Sequence, residues 1–349
     1  MSDERERRTC CSGCVLQLVT LLAAAVVGGV WLLQRYPGED WWLGALLTWG
    51  PQVQWIVPPA VALLLTAAAR EGRLTLINLA ATAVALFVLG GFEMNPGHDA
   101  PQGRHIVRVV TWNVHGRTED QETIRERILD WDCDVICLQE ARRKVFDDLL
   151  PGYQDATARD LRVFVRGRIR DREVIRTEKH QVHPLLRVDA EIEGHPLTII
   201  TVHLPRVRRS RRMPRELGPL TEYLREAGEV REEKFARLLE ALPDGRPLVV
   251  AGDMNTPPTS RHWRRLSERL TDTFEAAGRG FGFTFVWRGK LPMLRIDYVW
   301  TGGGVTPVRC WVHAEGPSDH RPVLAEVALP PAHEPSVMVR SRATPPSSP

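Results

Sequence analysis

The chain lacks an excess of charge of either sign and lacks a cysteine framework. Its 46 Lys and Arg against 43 Asp and Glu leave a formal charge of +3, too small to support a bulk electrostatic case for polyanion binding. The six cysteines stand at positions 10, 11, 14, 133, 137 and 310. The first three precede an apolar stretch, an order that excludes a lipoprotein-like cleavage pattern. Cys133 and Cys137 lie too far apart along an extended chain to bridge without a turn. No Cys-x-x-Cys pair is followed by a second pair or by closely spaced histidines, so no tetrahedral metal set is indicated.

A further absence is local. Residues 15 to 92 are almost free of charge, whereas 104 to 329 carry nearly all of the Arg, Asp and Glu, so the average composition conceals two regions. Val15 to Leu33 is uncharged and, at about 1.5 Å per residue, nearly spans a ~30 Å hydrocarbon core. Arg5, Arg7 and Arg8 make a basic start of the kind that precedes a signal peptide, but more apolar chain follows instead of a small-residue cleavage site. Spans are expected at about 15–33, 43–69 and 74–92, with Trp31, Trp41 and Trp42 at the interface; buried core helices are the rival reading. Arg5, Arg7, Arg8, Arg70 and Arg73 on one side outweigh Arg35, Arg104 and Arg108 on the other. With three crossings, this places the following domain outside the cytoplasm of a multi-pass cell-membrane protein. The organisation expected is a basic, Cys-containing segment at 1–14, membrane helices within 15–92, a Pro/Gly linker at 93–105, a catalytic domain at 106–329 and a Pro/Ser-rich tail at 330–349 without a fold.

Within 106–329, short apolar runs alternate with polar segments. IVRVVTWNV, DVICLQE, LRVFVRG, LTIITVHL, PLVVAGDMN, IDYVW and PVLAEVAL all predict strands. Helices are predicted over Thr118 to Trp131 and over Arg231 to Leu242, where Phe235, Leu238, Leu239 and Leu242 share a face. The layout mixes α and β. Several strands carry a carboxylate, amide or histidine at or next to one end: Asn113, Glu140, His203, Asp253, Asn255, Asp297, Asp319 and His320. Converged on one sheet edge, they form an acidic pocket with two histidines, the hard-oxygen composition that magnesium chemistry requires.

The ordered series TWN (111–113), LQE (138–140), TVHL (201–204), GDMN (252–255), RIDYVW (295–300) and SDH (318–320) resembles the endonuclease/exonuclease/phosphatase superfamily, and covers essentially all of 106–329. The resemblance implies a four-layer α/β/β/α sandwich of two packed mixed sheets and Mg²⁺- or Mn²⁺-dependent hydrolysis of phosphate bonds. It makes Glu140 the principal metal ligand, with Asn113 beside it and Asp319 available to the metal. It gives Asp253 the attacking water, Asn255 the water and a phosphate oxygen, His320 the charge growing on the phosphoryl group, Asp297 the orientation of His320, and His203 the phosphate or leaving oxygen. Taken singly, Asn113 and Asn255 read equally as turn caps, Asp297 as a salt-bridge partner and Asp319 as a cap before Pro322.

Two departures stand out. His115 occupies a position that is often acidic in nuclease relatives, and there is no clear match for the family's tyrosine-bearing segment that should fall between Glu140 and His203, which weakens a reading as an abasic-site repair nuclease. After His203 comes a basic run in which Arg206, Arg208, Arg209, Arg211 and Arg212 are candidate contacts to phosphate or to an anionic membrane surface; a solvated loop is the alternative. The expected partners are the lipid bilayer and a phosphate-containing, lipid-linked substrate such as a polyprenyl diphosphate. An extracytoplasmic nuclease acting on nucleic acid is the second reading and a non-catalytic anionic-ligand receptor the third, and no protein partner is indicated.

Overall fold

A computed structural model describes residues 2–36, 38–116, 121–141, 146, 150–176, 184–206, 216–287, 290–314 and 316–331. The apolar region forms helices α1 (Ser2–Arg35), α2 (Trp42–Trp49), α3 (Val57–Ala68) and α4 (Gly72–Val84), the last prolonged by a π-helical turn over Ala85–Leu89. Two stretches, Gly13–Arg35 and Gly72–Leu89, are long and apolar enough to cross a membrane. The middle span expected at 43–69 is not one rod. Trp42–Trp49 and Gln52–Ala68 meet at 95°. Gly50 and Pro51 adopt extended backbone at the break, and Pro51 has no amide hydrogen to carry a helix through it. Pro58 and Pro59, by contrast, sit in the first turn of α3, where no amide donor is required. Buried amides tie the bundle together. Asn78 donates to Thr20 and Thr66 across three helices, and Gln34 and Gln52 bind each other and the carbonyls around the bend.

The remaining elements are β1 (Glu93–Met94), β2 (Ile106–Asn113), α5 (Gln121–Asp130), β3 (Val135–Gln139), β4 (Gln154–Ala158), β5 (Leu161–Val165), β6 (Arg168–Ile175), β7 (Leu185–Ile192) and β8 (His195–His203). After them come α6 (Leu217–Ala241), β9 (Leu248–Asp253), α7 (Arg261–Ser267), β10 (Thr271–Asp272), α8 (Thr273–Ala277), β11 (Arg279–Gly280), β12 (Phe285–Trp287), β13 (Leu291–Leu294), β14 (Asp297–Gly302), β15 (Thr306–Val312) and β16 (Val323–Ala328). One sheet has the order β15-β16-β2-β3-β5-β4 and the other β10-β14-β9-β8-β7-β6. Among the described residues only β2–β3 and β8–β9 pair in parallel, so the sheets are mixed.

Alternation decides which face each side chain takes. Val107, Val109, Val135 and Val163 of the first sheet meet Val188, Ile199, Val249 and Val299 of the second in the central core. The outer face of the first sheet packs Val110, Trp112 and Leu138 against Ile124 and Ile128 of α5. That of the second packs Ile200, Val250 and Trp300 against Phe235 and Leu238 of α6 and Trp263 and Leu266 of α7. The result is the expected four-layer sandwich. The linker is more ordered than its composition suggests: β1 pairs with β11, and Asn95 and His98 bind backbone at Gly278 and Val308.

Candidate active site

The parallel pairs point like ends of their strands to one edge of the sandwich. β2 ends at Asn113 and β3 leads into Glu140; β8 ends at His203 in register with Asp253 of β9, which is in register with Asp297, where the antiparallel β14 begins. This close pairing needs Gly252, at φ +150°, because a Cβ there would stand 2.0 Å from the Val202 carbonyl oxygen. Residues from Asn113 to Asp297, 184 positions apart in the chain, thereby converge.

Asp253 lies at the centre and is fully buried. Its Oδ1 accepts the Asn255 backbone N–H at 2.8 Å and its Oδ2 the Asn113 amide at 3.0 Å, with His203 Nε2 and His320 Nε2 each 3.8 Å from Oδ2. Asn113 also donates to Glu140 Oε1 at 3.2 Å, while its amide oxygen receives the His115 backbone N–H. The amide as placed therefore links two carboxylates. Asn255 donates its side chain to the Leu204 carbonyl. His115, Glu140 and Asn255 all have positive φ (54°, 60° and 46°), a left-handed conformation uncommon outside glycine, shared in this chain with turn residues such as Arg70 and Glu193.

Two histidines are each oriented by a buried carboxylate. His320 Nδ1 lies 2.9 Å and 3.1 Å from the two Asp297 oxygens, and the Asp297 backbone N–H is held by Thr284 Oγ1. Burial alone would lower the His320 pKa, but Asp297 and Asp253 outweigh it and push it up to about 9. Its Nε2 is buried without a hydrogen bond and faces the Asp253 side of the site. His203 Nδ1 is 2.7 Å from Asp160 Oδ2. There too burial acts downward, and the Asp160 hydrogen bond with the charges of Asp253 and Glu140 turns the net shift upward.

Asp160, 43 residues from His203 in sequence, is a site residue that the sequence reading missed. It sits in the turn between β4 and β5, which occupies the interval where a tyrosine segment was sought. His115 was noticed only as a departure. Its Nδ1 stands 3.1 Å from Asp319 Oδ1 and 3.9 Å from Glu140 Oε2, between the two carboxylates expected to serve a metal. Of the basic run, Arg206 reaches Glu140 Oε1 at 3.5 Å; Arg208, Arg209, Arg211 and Arg212 lie outside the described residues.

The donor set suits a hard divalent cation: Glu140 and Asp319 offer carboxylates, and Asp319 Oδ1 is buried, with His115 Nδ1 at 3.1 Å but no well-formed hydrogen bond. The tightest group of possible ligand atoms among the described residues is Asp253, Asp297 and His320, within 4.8 Å of one another. Both Asp297 oxygens already face His320 Nδ1, however, so that trio works as an oriented imidazole beside a carboxylate, and Glu140 and Asp319 are the better placed ligands.

The sequence pattern of the Endonuclease/Exonuclease/phosphatase family matches residues 110–320. The chain belongs to this family. Endonuclease/Exonuclease/phosphatase members are hydrolases of phosphoester bonds, phosphoesterases and nucleases among them, and typically depend on a divalent metal. The uncharacterized protein YbhP of Escherichia coli (strain K12) is 34% identical over 116 residues, which are 30% of this chain and 43% of YbhP, less than half that relative's length. The endonuclease/exonuclease/phosphatase from Bacteroides vulgatus superposes with a TM-score of 0.53 at 19% identity, covering 65% of this chain and 100% of that one. D. rerio TDP2, in a complex with single strand DNA product, gives 0.51 at 15%, covering 64% and 98%. At these identities the likeness speaks for the fold.

Proposed function

We propose that the chain is a membrane-anchored, metal-dependent phosphoesterase that hydrolyses a phosphate ester or anhydride of a lipid-linked substrate, such as a polyprenyl diphosphate. The observation that carries the chemistry is the buried Asp297–His320 pair, whose outer ring nitrogen is unpartnered beside Asp253. Hydrolysis needs a base for the attacking water and donors for the charge that grows on the phosphoryl oxygens. Asp253, held by Asn255 N–H and Asn113, is the base that takes the water's proton. His320, kept protonated by Asp297, donates Nε2–H to a phosphoryl oxygen. Asn255 orients the water. His203, fixed by Asp160, presents Nε2 to the phosphate or leaving oxygen. Glu140, Asn113 and Asp319 would hold Mg²⁺ or Mn²⁺, which when bound supplies Lewis-acid charge at the phosphoryl group.

Support for a lipid-linked substrate comes from where the bundle docks. Thr259, four residues beyond Asn255, donates to the Thr48 carbonyl of α2, and Ser260 and Arg261 N–H bind Glu39. Buried Arg231 of α6 lies 4.2 Å from the Trp49 ring and donates to the carbonyls of Pro205 and Asn255 and to Thr256 Oγ1. The membrane region thus rests on the segment that carries Asn255. The far end of α1 and the end of the α4 stretch both face the sandwich, which favours three crossings with the bent pair as the second. By the arginine distribution this puts the catalytic domain outside the cytoplasm.

Purified full-length protein, assayed with Mg²⁺ or EDTA, should release phosphate from a polyprenyl diphosphate in detergent and leave plasmid and single-stranded DNA intact. Metal-dependent cutting of DNA with no release from the lipid would replace this reading with the nuclease one. Silence in both assays would overturn the assigned substrates.

A further inference from the structure

Where the bundle meets the sandwich there is a cavity of about 190 Å³ with walls from both. Trp31, Val88 and Leu89 line it from the bundle; Pro257, Phe281 and Phe283 line it from the sandwich. The aromatic rings form a nearly continuous series. Phe87, exposed on the outer surface of the bundle, meets Phe92 edge-on, Phe92 meets Phe281, and Phe281 stacks on Phe283 at 5.0 Å. Two residues further along, the Phe285 ring lies 5.4 Å from the imidazole of His320.

The charge of this cavity is unbalanced. Three arginines line it, Arg35, Arg264 and Arg295, of which Arg35 is exposed. Arg295 is neutralised by a buried ion pair with Asp272. Arg264 spends one donor on the Thr259 carbonyl at 2.8 Å, and Arg35 has no hydrogen bond or ion pair among the described residues. Burial and then the charge of Arg35 lower the Arg264 pKa. Glu39, whose field reaches Arg264, is already engaged by Ser260 and Arg261. Arginine side chains suit the bidentate recognition of phosphate oxygens. Arg35 ends an apolar helix, beside Trp31, where chain and headgroup regions of a bilayer adjoin.

We propose that this cavity binds an anionic phospholipid of the surrounding bilayer, its phosphate on Arg35 and Arg264 and the start of its apolar chain between Trp31, Val88 and the Phe281–Phe283 pair. The site is distinct from the catalytic centre and rests on the reading of α1 and α4 as membrane helices. Bound lipid bridges the bundle and the 257–264 segment, and so holds the stretch that follows Asn255.

The test is lipid retention, which requires no turnover. Full-length protein reconstituted in nanodiscs of phosphatidylcholine and phosphatidylglycerol is extracted into detergent, and the lipid that stays bound is measured by native mass spectrometry. The wild type should keep phosphatidylglycerol in preference to phosphatidylcholine. The double variant R35Q/R264Q should keep about tenfold less, while Arg168→Gln/Arg172→Gln, which removes the same two charges from edge strand β6, should match the wild type. Val88→Trp, at an exposed position on the cavity wall, should reduce retention without removing charge. It provides the decisive arm should the double variant fail to fold. Equal retention by wild type and Val88→Trp, or loss of the preference on adding millimolar inorganic phosphate, would overturn the proposal, the latter by identifying a free-anion site. A protein that hydrolyses lipid phosphate yet retains no phosphatidylglycerol would refute this site alone, and an inactive protein that retains it would refute only the proposed substrate.

Discussion

The bundle and the sandwich use the same apolar residues in opposite ways. Among the described residues, the large hydrophobic side chains left exposed all fall between Val15 and Met94, apart from Leu129, Trp287 and Leu291. In the sandwich such residues face inward and polar atoms face water. In the bundle Asn78, Thr20, Thr66 and Gln52, bound to one another or to backbone, face inward together with Val27, Val30, Ala85 and Leu89, while Leu21, Leu64 and Leu76 face outward. This arrangement is compatible with the proposed membrane association, because in hydrocarbon it is the unpaired polar group that carries the penalty. The candidate active site lies on the sandwich, but the segment that carries Asn255 is packed against the bundle.

The largest expected effect keeps both regions folded. Asp253→Ala or His320→Ala should lower kcat by about 10³-fold or more, with the melting temperature little changed, because each acts mainly on the transition state; a steady-state assay with a parallel thermal melt checks this, and retained activity would remove these residues from the site. Core packing comes next. Ile199→Ala, between the sheets, should cost about 2–5 kcal/mol in denaturant unfolding. Arg231→Met tests the junction: it should reduce kcat about tenfold at little-changed KM, with partial rescue by Arg231→Lys, since the Asn255 carbonyl loses its donor. A positioning role is refuted if only the melting temperature moves.

His262, stacked on Phe235 at the same junction, gives a pH dependence. Burial first, and then Arg231 and its arginine neighbours, push its pKa down to about 2, whereas the unfolded imidazole titrates near 6.5. Between these values the unfolded chain binds the extra proton, so stability is complete above the unfolded pKa and falls as pH drops below it, by up to about 1.4 kcal/mol per pH unit. His262→Phe should flatten that slope in thermal melts between pH 6.5 and 4.5. The smallest effect is reserved for the bundle surface: Leu64→Ala should alter stability in detergent by less than about 0.5 kcal/mol, and a loss as large as that of Ile199→Ala would contradict the lipid-facing assignment.

Much of this was legible because strand periodicity and strand-end chemistry coincide. Asn113, His203, Asp253 and Asp297 each stand at the end of an apolar run, so their convergence follows once the strands pair in register. β6 was not legible, since an edge strand needs little apolar surface and RIRDREVI reads as a charged loop. β7, with its alternating burial, was overlooked although its pattern is regular. Asp160 and Arg231 escaped for a different reason: one lies in a turn and the other within a helix, and only tertiary packing brings them to His203 and Asn255. The bend after Trp49 was foreshadowed by Gly50-Pro51, but composition alone does not convert such a break into an angle.

The left-handed residues of the site imply a direction for any laboratory selection. Glycine relieves a positive φ that costs other residues about 1 kcal/mol, so at 115 and 140 the backbone and the chemistry favour different amino acids. Selection for heat resistance alone, with hydrolysis left unscreened, should therefore accumulate glycine at these two positions early, and the catalytic edge would drift out of the lineage before the core of the sandwich changed.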